Sequence, residues 1–200
     1  MSAAENDMAL LARIRAGDKA ACDDCIREHS PGIYRLALRL MRDEYEAEEV
    51  LQETFLNAFK GISRFDGRSG LRTWLFRIAY NSAMMRLRRP RREFVSVEEA
   101  SDPETGTPVP QELFDWGNVP EDALEKAELR NEMMRAIRKL PEKLRAVFVM
   151  RDLEDFSTEE TAAALGVKIE VVKTRLHRAR LRLRESLSGY FASGAPAGQR

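Results

Sequence analysis

The sequence predicts an all-α protein, with two small helical domains joined by an acidic, flexible linker. Apolar residues recur at helical spacing in both halves, as in Leu51, Phe55, Ala58, Phe59 and Ile62. Residues 93–127 lack such spacing and are rich in proline, glycine and carboxylates. Near the C-terminus an Ala-rich segment ends at Gly166 and a longer basic segment follows. That order is typical of two helices joined by a tight turn.

Length and composition are consistent with this class. The 200 residues suffice for one ordinary domain or two small ones. Hydrophobic residues make up 44% of the chain and charged residues 33%, so packed cores with a highly charged surface are expected. No apolar run is long enough to span a membrane, and the N-terminal segment is acidic. We therefore expect a cytoplasmic protein without a signal peptide or direct membrane insertion.

The zero net charge hides a strong separation of charges. Residues 93–128 carry eleven acids and one base, a net charge of −10, so the rest of the chain carries +10. A second acidic block, residues 43–53, holds six acids and no base. Basic residues cluster at 86–92 and 173–184. Charge runs are often only solvated faces, so their position must decide their meaning.

Four helices are expected before the linker. They cover a short segment from Met8 to Ile14, then 19–41 with a break near Ser30–Pro31, then 46–62, and finally 71–89. The last helix has an apolar face, comprising Leu71, Trp74, Leu75, Ile78, Ser82 and Met85. Its other face combines aromatic and polar residues, namely Thr73, Phe76, Arg77, Tyr80, Asn81 and Met84. Such a face suits single-stranded nucleic acid, whereas the alternative is a helix buried on two sides.

Four more helices are expected between residues 128 and 188. Ser157 and Glu160 form a capping-box pattern, so a helix should begin at Thr158 and end before Gly166. The next helix should begin near Lys168 or Ile169, with an apolar stripe of Val172, Leu176, Ala179 and Leu183. Its basic face could enter a DNA major groove, with Lys173, Thr174, His177 and Arg178 near bases and Arg175, Arg180 and Arg182 near phosphates. The alternative is a solvated basic face.

Two cysteines, Cys22 and Cys25, lie near His29. Zinc would need four ligands, and the only other histidine is the distant His177, so core packing of the cysteines is favoured. The sequence has no Gly-rich phosphate loop, no metal-ligand cluster and no nucleophile–base pair. We therefore expect no enzyme activity, catalytic residue, metal or cofactor.

Together these segments resemble a bacterial RNA polymerase sigma factor of the extracytoplasmic-function (ECF) type. Residues 17–41, "GDKAACDDCIREHSPGIYRLALRLM", are similar to the first stretch of sigma domain 2. Residues 47–67, "AEEVLQETFLNAFKGISRFDG", resemble its polymerase-binding helix, and 71–89, "LRTWLFRIAYNSAMMRLRR", its minus-ten-reading helix. The stretch from "LPEKLRAVF" to "LRLRE" resembles sigma domain 4. The resemblance implies domain 2 at 8–92, the linker at 93–127, domain 4 at 128–190 and a disordered tail at 191–200.

The resemblance also implies three binding sites and their partners. Core RNA polymerase would bind Glu48, Glu49, Gln52, Glu53 and Phe55. The minus-ten element would be melted and held by Phe65, Ser69, Arg72, Thr73, Arg77, Tyr80, Asn81 and Arg88. The minus-thirty-five element would be read by Glu170, Lys173, Thr174, Arg175, His177, Arg178 and Arg180. An anti-sigma factor is an expected further partner, and no small-molecule substrate is expected. The acidic linker would thread near the polymerase's RNA exit path.

One departure concerns the recognition helix. Family members often have a small residue and threonine where this chain has Glu170 and Val171, so the promoter contacts there are expected to differ. Two other functions stay open. A stand-alone helix-turn-helix regulator explains the C-terminal half alone, and an antagonist that mimics a sigma factor would bind polymerase without initiating transcription.

Overall fold

The computed structural model describes residues 3–88 and 123–192, and the side chains of 6–88 and 129–188. Its α-helices are α1 Ala3–Arg15, α2 Lys19–Met41, α3 Glu44–Gly61, α4 Leu71–Arg88, α5 Ala123–Lys139, α6 Glu142–Phe148, α7 Thr158–Leu165 and α8 Ile169–Ala192. A 3-10 turn, Ile62–Arg64, follows α3, and a π-helical turn, Val149–Leu153, follows α6. No strand occurs in the described residues, and the all-α prediction is confirmed.

Aspartate caps begin two of the N-terminal helices. Asp18 Oδ1 accepts hydrogen bonds from the backbone N–H groups of Ala20 and Ala21 at the start of α2. Asp43 Oδ1 accepts from the N–H of Glu46 at 2.9 Å at the start of α3. These carboxylates satisfy amides that have no partner inside the helix.

The predicted break near Ser30–Pro31 is wrong, because α2 runs through Pro31 without interruption. Proline removes one N–H from the helical ladder, which usually kinks or ends a helix. Here Pro31 is exposed, and buried residues lie on both sides of it, among them His29 and Ile33. Packing on both sides of the proline therefore holds the two segments in one helix.

The turn between α7 and α8 follows the sequence pattern closely. Ser157 Oγ accepts from the N–H of Glu160 at 3.0 Å, and the Glu160 carboxylate accepts from the N–H of Ser157 at 2.7 Å. Gly166 ends α7 with φ of +67°, a left-handed conformation that glycine adopts without strain. α8 then begins at Ile169, and its Val172, Ala179 and Leu183 are buried.

Two apolar clusters form the interior. The larger contains residues of α1 to α4 and continues into the C-terminal half through Met150, Phe156, Ala162 and Val172. The smaller lies among α5, α6 and α8 and contains Ile137, Leu140, Leu144, Phe148, Ala179, Leu183 and Leu187. The C-terminal helices thus have a core of their own and also share one with the N-terminal helices.

Helix α4 differs from expectation on both faces. Met85, expected in the core, is exposed, whereas Phe76, expected on the outer face, is buried. The reason is that α7 packs against α4, so a second face of α4 is covered by the C-terminal half. This matches the alternative of a helix buried on two sides.

The ends of the predicted linker and tail are partly helical. α5 begins at Ala123, inside the predicted linker, and α8 extends to Ala192, inside the predicted tail. Residues 93–122 and 193–200 of those segments lie outside the described residues. Within the described residues, no helix combines the length and apolarity needed to cross a membrane.

The preference for core packing of the cysteines is confirmed for Cys25, which lies in the larger cluster with Cys22 packed partly buried beside it. Burial raises the pKa of the Cys25 thiol to about 12. No group of His, Cys, Asp and Glu side chains suited to a metal ion occurs among the described residues.

This pKa predicts a difference in thiol reactivity. A thiol with a pKa near 12 carries roughly one thiolate in ten thousand molecules at pH 8, and the thiolate is the nucleophile. Iodoacetamide should therefore alkylate Cys25 only after the protein is unfolded in urea. Peptide mass spectrometry checks this, and rapid modification of Cys25 in the native chain would contradict it.

Candidate protein and nucleic-acid interfaces

The outer face of α3 carries two of the five predicted polymerase contacts. Glu48 and Gln52 are exposed on it, four residues apart, and so is Leu56 one further turn along, a residue that is 57% exposed. We call Glu48, Gln52 and Leu56 the outer stripe. Phe55 does not lie there: it is buried in the larger core, with its ring centroid 5.9 Å from that of Phe59.

Arg86 of α4 draws the other two predicted carboxylates inward. Its guanidinium donates to Glu46 at 2.8 Å, to Glu49 at 3.0 Å and to Glu53 at 2.8 Å, and its side chain is only 14% exposed. The hydrogen bonds to Glu53 and Glu46 raise the pKa of Arg86 further above its ordinary value. Arg86 belongs to the basic cluster at 86–92, yet its side chain holds α3 against α4 through these contacts.

Replacing Arg86 with methionine should destabilise the fold. It would leave Glu46, Glu49 and Glu53 close together with no cation between them. We expect a loss of about 1–3 kcal/mol in the free energy of unfolding, at the lower end because the carboxylates are a third exposed to water. Urea titration at neutral pH measures the loss. The exposed Arg88→Met variant is the matched control, and equal losses in both variants would contradict the prediction.

The loop before α4 is held by α1. Arg15 donates to the backbone carbonyls of Ile62 and Phe65, and the Asp7 carboxylate accepts from the N–H of Leu71 at 3.0 Å. Phe65 is buried, with its ring centroid 4.8 Å from that of Trp74. The ring is therefore not exposed for the predicted contact with a base. The contacts from α1 hold the backbone of this loop in place.

The other predicted minus-ten residues, on α4 and in the loop before it, differ in how exposed they are. Arg77, Asn81 and Arg88 are exposed on the helix, and Tyr80 is half-buried beside them. Thr73 is buried, and Ser69 in the loop is half-buried. Arg72 is engaged by the C-terminal half, since its guanidinium donates to the carbonyl oxygen of Glu154 at 2.6 Å.

The predicted minus-thirty-five residues lie on the first turns of α8. Glu170 and Lys173 are exposed, and Thr174, Arg175, His177 and Arg178 are half-exposed. The Thr174 hydroxyl donates to the Glu170 carbonyl at 2.9 Å, so it is satisfied within the helix.

Arg180, predicted to contact phosphate, makes a bidentate pair with Asp152 instead. Its Nη2 and Nε lie 2.8 and 2.9 Å from the two carboxylate oxygens, and this pairing raises the pKa of Arg180. The Asp152 carboxylate is nearly buried. This pair joins α8 to the π-helical turn, so Arg180 supports the C-terminal fold, whereas Arg182 and Arg184 are exposed further along α8.

Known protein families match both halves of the chain. Residues 25–93 match the Sigma-70 region 2 family, and residues 130–183 match Sigma-70 region 4. The chain is 34% identical over 177 residues to the ECF RNA polymerase sigma factor SigW of Bacillus subtilis, covering 88% of this chain and 94% of that protein. It is 33% identical over 184 residues to the ECF RNA polymerase sigma-E factor of Escherichia coli, covering 90% and 93%.

Solved structures share the fold at lower identity. CnrH in complex with the cytosolic domain of CnrY has a TM-score of 0.65 at 24% identity, covering 92% of this chain and 97% of that one. The sigma factor RpoE of Bartonella quintana, in complex with the anti-sigma factor NepR, has a TM-score of 0.61 at 24% identity, covering 83% and 96%. With both sigma regions present in order and ECF relatives matched over nearly their whole length, the chain belongs to the ECF-type sigma factors of bacterial RNA polymerase.

Proposed function

We propose that this chain binds core RNA polymerase and directs it to promoters by melting the minus-ten element and reading the minus-thirty-five element. The observation that carries the proposal is the match to both sigma regions in one chain, in the family's order. Its polymerase and DNA partners are cytoplasmic, so we place the chain in the cytoplasm. The separated charges suit two partners, because DNA attracts basic faces and a basic polymerase surface attracts acidic ones.

Polymerase binding is assigned to the outer stripe of α3. An exposed leucine bordered by a carboxylate and an amide combines an apolar centre with a polar rim, which is the usual arrangement of a protein interface. Glu49 and Glu53 keep part of their charge directed outward, since each side chain is about a third exposed beside Arg86. The acidic rim would then meet cations of the polymerase.

Promoter melting is assigned to α4 and the loop before it. Arg77 and Arg88 supply cations for phosphates, and Asn81 and Tyr80 supply an amide and a ring beside them. Extruding a base costs a few kcal/mol of stacking and pairing, which contacts to the unpaired base and its phosphates can offset. The loop backbone, held by Arg15 and Asp7, would form one wall of that site.

Recognition of the minus-thirty-five element is assigned to the N-terminal half of α8. The capped α7, the left-handed Gly166 and the longer α8 form the helix-turn-helix geometry in which the second helix enters the major groove. Lys173, His177 and Arg178 would face base edges. Glu170 would accept a hydrogen bond from a cytosine amine, which predicts a cytosine preference at one promoter position.

Two variants should separate base reading from phosphate binding. Arg178→Ala should relax discrimination at one minus-thirty-five position by about 1–3 kcal/mol, as expected for a base contact. Arg182→Ala should weaken binding to all sequences and lower the slope of log affinity against log salt by about one. Titration of holoenzyme on matched and altered promoters measures both effects. Equal losses on specific and random DNA for both variants would refute the assignment.

The test of the whole proposal is co-elution of this chain with bacterial core RNA polymerase at moderate salt, followed by a promoter-melting assay. A complex that melts a promoter supports it. A complex that binds but does not melt DNA would favour the mimic of a sigma factor. A promoter-length footprint without polymerase would favour the stand-alone regulator, which leaves the outer stripe of α3 without a role.

We also propose control by an anti-sigma factor that covers the DNA- and polymerase-binding faces. The support is membership of the ECF group, together with fold neighbours such as RpoE in complex with NepR. Coexpression with each regulator encoded nearby, read out by a promoter reporter, tests it. Full activity in every combination would rule it out.

A further inference from the structure

Helix α1 holds both ends of the loop that leads into α4, although α1 carries none of the residues predicted to contact polymerase or DNA. At the start of the loop, Arg15 Nη2 donates to the Phe65 carbonyl at 2.5 Å, and Arg15 Nε donates to the Ile62 carbonyl at 3.3 Å. At its end, Asp7 Oδ2 accepts from the N–H of Leu71 at 3.0 Å. These contacts join residues that lie 47 to 64 positions apart in the chain.

The Asp7 carboxylate acts as a cap for α4 that another helix supplies. The N–H of Leu71 lies in the first turn of α4, where backbone amides have no partner inside the helix. A carboxylate at this position satisfies the amide, and the partial positive charge at the helix N-terminus favours it. Loss of this acceptor would loosen the first turn of α4 and, with it, the end of the loop.

The middle of the loop projects from the fold between these two attachments. Asp66, Gly67 and Arg68 are exposed. The N–H of Arg68 donates to Asp66 Oδ1 at 3.2 Å, and Gly67 adopts a left-handed φ of +73°. The Met8 sulfur of α1 lies on this side of the loop, 3.8 Å from the position that a Cβ of Gly67 would take. The loop is therefore a short exposed turn that α1 contacts at its start, middle and end.

The docking of α1 itself rests mainly on apolar residues. Leu11 and Ile14 of α1 are buried in the larger core. Asp7 is only half-buried, and Arg15 is exposed. Replacing either polar side chain should therefore leave α1 docked while it removes hydrogen bonds to the loop. The two side chains thus act on the loop more than on the packing of their own helix.

A loop with fixed ends can discriminate among bases better than a loop that adapts to its ligand. A binding surface that already has its bound shape loses little conformational entropy on binding, whereas flexible, loop-rich surfaces accept several partners. The proposed site for an extruded base has the backbone of this loop as one wall. The position of that wall decides which base fits, because a flipped base is recognised by the shape and hydrogen-bonding groups of its pocket.

We propose that Asp7 and Arg15 are positioning residues for promoter recognition, which hold the loop in the conformation that discriminates among bases of the melted minus-ten strand. Neither side chain needs to touch DNA, since each acts through the loop backbone. The proposal rests on the proposed function, because it assumes that the loop and α4 receive the unpaired strand.

The test compares Asp7→Ala, which removes the acceptor, with Asp7→Asn, which keeps an oxygen that can cap α4. The matched control is Asn6→Ala, at an exposed neighbouring position on α1. Each variant is assembled with core RNA polymerase and mixed with promoter DNA whose minus-ten bases are unpaired and randomised. Sequencing of the bound DNA gives the preference for each base at each position, and circular dichroism verifies the fold.

We expect Asp7→Ala to lower the preference for the favoured base about fivefold at some minus-ten positions and not at others, the ratio that one net hydrogen bond supports. Asp7→Asn and Asn6→Ala should keep the wild-type preference, and all variants should bind core polymerase equally. An unchanged preference in Asp7→Ala would overturn the proposal. An equal loss in Asp7→Asn, or weaker binding to all sequences alike, would also overturn it, since either would indicate general damage to the fold.

Arg15→Met provides a second readout at the other end of the loop. It removes both donors but keeps a long side chain with good helix propensity, so it should fold. It should weaken base preference as Asp7→Ala does, and if Asp7→Ala does not fold, a wild-type preference in Arg15→Met overturns the proposal. If the wild-type holoenzyme shows no minus-ten preference at all, the proposed function fails as well. If the wild-type chain selects bases and both variants select them equally, only the positioning role fails.

Discussion

Replacing Leu56 with arginine is expected to weaken binding to core RNA polymerase by at least about 30-fold, or roughly 2 kcal/mol, the loss typical of a hot-spot residue. Leu56 is 57% exposed, and the acidic and polar groups around it predict a basic partner surface. Arginine would remove the apolar contact and place a like charge against that surface. Leucine and arginine have similar helix propensities, so α3 should form in both proteins.

A matched control is available on α1. Met8 is 56% exposed, almost the same as Leu56, and it lies away from the outer stripe. Met8→Arg introduces the same charge and should bind polymerase like the wild-type chain in a titration with fluorescently labelled protein. Equal weakening in both variants would show a general charge effect, and full binding by Leu56→Arg would move the docking site off this face.

Leu56 also shows that helical periodicity can identify an exposed residue that family resemblance alone does not identify. The family motif directed attention to Phe55, yet Phe55 shares a helical face with Leu51, Ala58 and Phe59 and is buried with Ala58. Position 56 continues the line of 48 and 52 at four-residue spacing. A count of helical positions along α3 would therefore have selected Leu56 as the exposed apolar residue.

Features set by neighbouring residues were predictable from the sequence. The capping box of Ser157 and Glu160, the left-handed Gly166 and the start of α8 each depend on a few adjacent positions. The break at Pro31 was predicted by the same local logic and is wrong, because burial on both sides of the proline outweighs one missing hydrogen bond.

Features set by distant partners were not predictable. Arg86 binds carboxylates 33 to 40 residues away, and Arg72 binds Glu154, which is 82 residues away. A run of basic residues indicates only that cations cluster, whereas tertiary packing decides which of them meet carboxylates. Arg180 was predicted to contact phosphate and Arg86 was part of a basic cluster in the sequence, and both are paired with carboxylates inside the protein.

The second large effect concerns Phe156, whose replacement by alanine should lower the free energy of unfolding by about 3–5 kcal/mol, the range for deleting a buried phenylalanine ring. The ring is fully buried between the two halves, against Phe76 and under the Arg72 guanidinium. Its backbone N–H also donates to the Met150 carbonyl at 2.9 Å, so the position is fixed and a cavity would not close easily.

Urea unfolding followed by circular dichroism measures this loss, and two further variants help to interpret it. Met85→Ala changes an exposed residue and should cost less than about 0.5 kcal/mol. Phe148→Ala deletes an equally buried ring from the smaller cluster, inside the C-terminal half alone. Because Phe156, unlike Phe148, touches both halves, Phe156→Ala should separate their unfolding transitions, while Phe148→Ala should destabilise the C-terminal half. A loss below about 1 kcal/mol for Phe156→Ala would mean that the ring does not join the halves in solution.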